Sequence, residues 1–308
     1  MLLALATPGT TASQTAPAEV RWRPAAPLEG SIVSIFVTPG PGAHAAFTSA
    51  RGRLSGEPLH FERGPDGTLR ALGAVPVGRR DSLPVEVQVE DAEGIIEGAI
   101  VWVPVARRRV PVERIRTSPE FSRPPDAALA ARIAAERDRI RDVQQRTHER
   151  PRFWDLPFAR PRGGRITSRF ATRRVVNGVE GGRHFGTDLD GRSGDPVRAA
   201  NAGLVALVGS FFYGGCLVYL DHGAGLVTGY LHLSDILVSE GDTVRAGQVI
   251  GRVGATGRVT GPHLHWLANY GGVSVDPLGL MAIEPLPTPS RVSGTAARTG
   301  TSGSVCRP

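Results

Sequence analysis

The chain has 308 residues, 41% hydrophobic and 21% charged, which is long enough for two globular domains and ordinary in composition. All 36 basic residues are arginine, and the net charge of +7 suits an anionic partner without choosing one. No basic block interleaved with aromatics marks a nucleic-acid groove, and no apolar run approaches the ~18 residues of a membrane span.

Residues 1–20 open apolar and turn small and polar, like the end of a signal peptide, and are read as a signal remnant or disordered segment. From 21 to 120, short apolar runs alternate with Gly and Pro. SIVSIFVTP (31–39), LPVEVQVED (83–91) and GAIVWVPV (98–105) read as strands of a small β-sandwich-like accessory domain. His44 and His60 are isolated there and read as structural or exposed, and Arg107-Arg108-Arg109 reads as a solvated strand end. Residues 121–150 contain PPDAALAARIAAERDRIRDVQQRTH, whose apolar spacing and Pro-Pro-Asp start predict one amphipathic linker helix. Short strands with Gly-rich turns return over 151–283, and a Pro/Ser/Thr/Gly-rich tail over 284–308 is expected to be disordered. Cys216 and Cys306 are too few for a disulfide framework, and a bridge between them is not expected.

Chemistry-bearing residues gather in the C-terminal half. In GPHLHW (261–266), His263 and His265 are two apart, so a strand aims both at one spot. Two imidazoles there suggest a metal ligand, a proton-transfer group, or one of each. His184 and Asp188 lie four apart in HFGTD. With one GPHLHW histidine they would give three protein ligands and leave a fourth position open, as in catalytic zinc sites. His232 lies in a strand-like GYLHLSD, and His222, in the hairpin-like LDHGAG, reads as structural, while Tyr230 and Thr167 read as packing or β-turn residues.

In this order the segments ITSRFATRR (166–174), HFGTDLD (184–190), GDPVRAANAGLV (194–205), VYLDHGAGLVTGYLHLS (218–234), EGDTVRAGQVIGRVGATG (240–257) and GPHLHW resemble the M23 zinc metallopeptidases, the lysostaphin/LytM-like peptidoglycan endopeptidases. The resemblance covers roughly 160–280. It departs at Ala171, where the family usually has Gly, and at Gly215-Cys216, where Gly-Asn-like pairs are common. It implies a mainly β protein whose peptidase domain is a twisted antiparallel sheet beneath a groove. It implies one zinc ion per chain held by His184, Asp188 and His265. The catalytic pair would be His232 and His263, with His263 taken as base and His232 as oxyanion stabiliser, the reverse also fitting the motifs. The implied substrate is the peptide cross-link of peptidoglycan, and the implied location is exported, in the periplasm or cell envelope. The accessory domain would bind the wall, cover the groove or dock a regulatory protein. A carrier-domain reading of EGDTVRAGQVIG fails because the chain has no Lys to carry a cofactor. The alternative is a catalytically silent domain of the same fold that binds the wall or activates another hydrolase.

Overall fold

A computed structural model describes residues 9–10, 18–43, 45–79, 81–155 and 157–284. The signal-like start, His44 and the C-terminal tail are expectations that fall wholly or largely outside those residues. The architecture is mainly β, and the chain divides into two compact units.

The first unit runs to Arg109. It contains a five-stranded and a four-stranded sheet. The strand Asp81–Asp91 shows why they pack. Leu83, Val85, Val87 and Val89 alternate with polar residues, so one face is apolar, as the period-2 pattern predicts. That face meets Val20, Trp22, Ile35 and Val37 of the other sheet in one core. At about 25 cal/mol per Å² of apolar surface, burial of such side chains is worth roughly 2 kcal/mol each.

The second unit begins at Val110. The stretches 110–120 and 121–150, read from sequence as the end of the accessory domain and a linker, both pack within it. Val112–Ile115 pairs in parallel with Arg173–Val176. The helix Ala127–Arg146 is capped by Asp126, whose carboxylate accepts from Leu129 N at 2.8 Å. Its Val143 and Ile140 pack on Leu207, Phe211, Leu217 and Tyr219 of the main sheet.

That sheet is antiparallel, with the order Ile166–Ser168, Thr187–Asp190, His263–Tyr270, Leu226–Ile236, Gly215–Gly223, Gly203–Phe211, Thr243–Val244. Trp266, Tyr230, Leu189 and Leu264 are fully buried beneath it. The strand Val249–Val253 joins the far end of Leu226–Ile236. The expectation about a bridge between Cys216 and Cys306 falls outside the described residues, because Cys306 lies in the tail.

Candidate active site

Register alone brings the first two groups together. Asp188 lies directly opposite His265 across the Thr187–Asp190 and His263–Tyr270 ladder, so their side chains share a face. Two residues along, His263 shares that face too, as period-2 alternation predicts. His184 arrives differently. It precedes the strand, and the turn at Phe185-Gly186 folds its ring back over Asp188. Gly186 permits this, because a Cβ there would lie 2.4 Å from His265 Cε1 and 2.8 Å from Trp266 O.

His232 depends on a bulge. Tyr230 pairs with Val218 and Leu233 with Cys216, so three steps on one strand face two on its neighbour. At that point the strand also changes partner, from His263–Tyr270 to Val249–Val253. His232 absorbs the irregularity with φ of 65°, a left-handed conformation rare for a non-glycine residue. Its ring ends 5.0 Å from that of His263 and 5.8 Å from that of His265, centroid to centroid.

The ligand-type atoms crowd closely. His184 Nε2 is 2.9 Å from Asp188 Oδ1, His265 Nδ1 is 2.8 Å from the same oxygen, and the two nitrogens are 2.8 Å apart. All three residues offer one such atom within a 4.8 Å circle, and His184 and Asp188 are buried. The hydrogen bonds on the far sides set the lone pairs. His184 Nδ1 faces Arg169 O at 3.1 Å, and a carbonyl only accepts, so the ring proton sits on Nδ1 and Nε2 offers a lone pair. With His265 Nδ1 in the same lone-pair state, three acceptor atoms at this spacing repel one another unless a cation or protons lie among them. Two imidazoles and one carboxylate oxygen form a donor set that fits Zn²⁺.

His232 and His263 follow the same rule. His232 Nδ1 donates to Thr256 O and His263 Nδ1 to Gly261 O, both at 2.8 Å, leaving each Nε2 an acceptor. His263 Nε2 is 3.7 Å from Asp188 Oδ1.

Electrostatics agree with neutral His232 and His265 rings beside a charged carboxylate. Burial lowers the pKa of His265 to about 4, partly offset by Asp188. Burial, with His265 and His263 nearby, holds His232 well below its ordinary value. Burial alone would raise Asp188; the close approach of the His184 and His265 rings outweighs it and holds the carboxyl well below its ordinary range.

Behind the clustered donor atoms lies a second layer that the sequence reading did not assign. Arg174 donates to Asp188 Oδ2 at 2.6 Å and to Ser168 Oγ at 3.3 Å. Ser168 donates to Glu113 Oε2 at 2.8 Å and sits 3.1 Å from His184 Nδ1. Arg174 stood in the quoted segment ITSRFATRR, but nothing in its spacing told it from Arg173, which pairs with Glu180 at the surface. Glu113 carried no signal at all. Tyr230 and His222 are packed, as expected from the sequence. The Tyr230 hydroxyl accepts from Ala200 N, and His222 is fully buried.

Residues 182–277 match the family model described as peptidase family M23. The chain carries an M23 peptidase domain. It is 39% identical over 138 residues to peptidoglycan DD-endopeptidase ShyC of Vibrio cholerae, which covers 44% of this chain and 30% of that protein. It is 43% identical over 106 residues to the DD-carboxypeptidase/endopeptidase Mpg of Neisseria meningitidis, covering 34% of this chain and 24% of that one. The chain thus spans less than a third of the length of these curated relatives. A crystal structure of a Pseudomonas aeruginosa protein assigned to peptidase M23 superposes with a TM-score of 0.60 at 25% identity, over 83% of this chain and 95% of that one. His184, Asp188, His232, His263 and His265 all fall inside the matched M23 segment. Glu113, Ser168 and Arg174, which buttress it, fall outside.

Proposed function

We propose that this chain is a zinc-dependent endopeptidase that hydrolyses peptide cross-links of bacterial peptidoglycan in the cell envelope. The observation that carries the reading is the convergence of three metal-type donor atoms with two further imidazoles whose Nε2 lone pairs are free of backbone hydrogen bonds. The names of ShyC and Mpg support the substrate class. No helix among the described residues is long and apolar enough to cross a membrane.

In this reading His184 Nε2, Asp188 Oδ1 and His265 Nδ1 hold the ion. Zinc bound there would supply Lewis acidity and lower the pKa of a coordinated water to roughly 7. His263 and His232 each offer one acceptor for the two hydrogens of the attacking water. His263 is the base, because its side chain is less buried than that of His232 and can pass the proton on to the leaving amine. His232, held neutral by burial, orients the water at first. It can donate to an oxyanion only after gaining a proton on Nε2. In this reading the first unit binds the wall, covers the groove or docks a regulatory protein.

The test is release of soluble muropeptides from purified peptidoglycan, read by mass spectrometry. Wild type should release uncross-linked peptides, and His265→Ala or chelated protein should not. If folded, zinc-loaded wild type releases nothing from any murein type, the catalytically silent reading replaces this one.

A further inference from the structure

Beside His263 opens a cleft of about 390 Å³, lined among others by Glu113, Arg114, Arg174, Asp188, Asp190 and Arg258. Most charges in its wall are committed. Arg174 is held by Asp188 and lies 3.8 Å from Glu113. Asp190 accepts from Arg165 N at 2.7 Å. Arg114 is exposed to solvent.

Arg258 is the exception. Its guanidinium lies 4.7 Å from the centroid of the Tyr213 ring and is half-buried. Among the described residues no carboxylate forms an ion pair with it. Its backbone is fixed, since Arg258 N donates to Tyr213 O at 3.0 Å. The preceding Gly257 has φ of 74° and lies so close to Gly215 N and Tyr213 O that a Cβ would meet them at 2.4 and 2.6 Å. The ring contact takes none of the guanidinium's hydrogen-bonding capacity, and its N–H groups can take a carboxylate in two parallel hydrogen bonds. Burial and the nearby Arg174 charge also pull its pKa below the ordinary value, as expected for a cation that has lost water without gaining an acid.

We propose that Arg258 is a substrate-binding residue that takes a carboxylate carried by a residue flanking the scissile bond. The inference rests on the peptidase reading above and adds a specificity to it. It selects free acids over their amides, because an amide offers the guanidinium only a neutral acceptor and presents N–H groups to a cation. Two sources of such a carboxylate exist in peptides: a chain end and an acidic side group.

Two pairs of substrates separate them. One pair is a cross-linked stem-peptide dimer with the free side carboxyl of its diamino acid either intact or amidated. The other is a stem pentapeptide with its C-terminal carboxyl intact or amidated. For wild type, at least one pair should show a kcat/KM for the free acid about 10- to 100-fold above that for the amide, mostly through KM. In Arg258→Met that ratio should fall close to one, and in Arg258→Lys to an intermediate value. Tyr213→Leu, which removes the stacking surface without removing the charge, should lower the ratio as well and serves if Arg258→Met does not fold. A wild-type ratio near one in both pairs overturns the inference, and so does a ratio that survives in the methionine variant. In those cases cleavage itself still proceeds and the peptidase reading stands. Failure of wild type to cleave any of the four peptides overturns the inference, and the peptidase reading falls with it only if wild type also releases nothing from any murein type.

Discussion

Arg174 and Asp188 meet at 2.6 Å, through the carboxylate oxygen that points away from His184 and His265. The contact splits the work of one side chain: Oδ2 is fixed by a guanidinium while Oδ1 faces the two imidazoles. Two effects oppose each other. The cation draws charge from the carboxylate and weakens it as a ligand, but it also fixes the rotamer of a buried acid and satisfies its second oxygen. Orientation should win, because an unsatisfied buried carboxylate oxygen costs about 1–3 kcal/mol or more. Arg174→Met is therefore expected to weaken zinc binding about 10- to 100-fold, measured by competition with a chromophoric chelator, with Arg174→Lys recovering part of the loss. Equal zinc affinity in wild type and Arg174→Met would remove the positioning role. Glu113→Gln should have a smaller effect in the same direction, since Glu113 reaches the site only through Ser168 and Arg174.

Gly186→Ala should be a metal-site mutation even though glycine binds nothing. The new methyl group would sit 2.4 Å from His265 Cε1 and 2.8 Å from the Trp266 carbonyl. The ring can swing away but the backbone of a central strand cannot, so both the ligand and the turn are displaced. Metal content by atomic spectroscopy should fall, and the melting temperature with it. Retention of one zinc per chain at unchanged affinity would show that the turn relaxes more easily than its contacts suggest.

His263→Ala and His232→Ala should keep zinc and lose rate. Neither supplies one of the three clustered donor atoms, and loss of a positioned acid–base group typically costs 10²- to 10⁴-fold. The readout is paired: metal content together with kcat on a cross-linked stem peptide. If His263 is the base, its variant should lose more than that of His232. Loss of zinc in either variant would move that histidine into the ligand set.

Much of this was legible because the motifs obey simple periods. The alternation in LPVEVQVED gave the strand Asp81–Asp91, and the HxH spacing gave a shared face for His263 and His265. His184 and Asp188 converge for another reason than strand spacing, through a tight turn at Gly186. The bulge at His232 was invisible, because nothing in YLHLS announces an extra residue; it exists because two neighbouring strands demand different registers. Ala171 keeps φ of 65° where the resemblance predicts Gly, so the backbone tolerates the departure rather than reshaping around it. The buttress was hidden for a topological reason. Val112–Ile115 reaches the site by pairing with Arg173–Val176 some sixty residues away in sequence, and no local pattern encodes that partnership.

Stability should fall as the medium turns acidic, and His222 should account for an identifiable part. Its ring is buried, with Nδ1 donating to Ala202 O at 2.7 Å and Nε2 2.8 Å from the Thr228 hydroxyl. Burial lowers its pKa from 6.5 to about 4. Between those values the unfolded chain binds a proton that the folded chain does not, so stability rises with pH across that window. The contribution is fully present above pH 6.5 and is lost progressively as pH falls toward 4, by about 3 kcal/mol in all. His232 and His265, also lowered, act with the same sign, so wild type alone cannot isolate the effect. His222→Asn keeps a donor for Ala202 but cannot titrate. Its unfolding free energy in urea should be lower at neutral pH, yet its slope against pH between 4 and 6.5 should be shallower than that of wild type by up to about 1.4 kcal/mol per pH unit. Parallel slopes for the two proteins would mean that His222 takes up its proton in the folded state as readily as in the unfolded one.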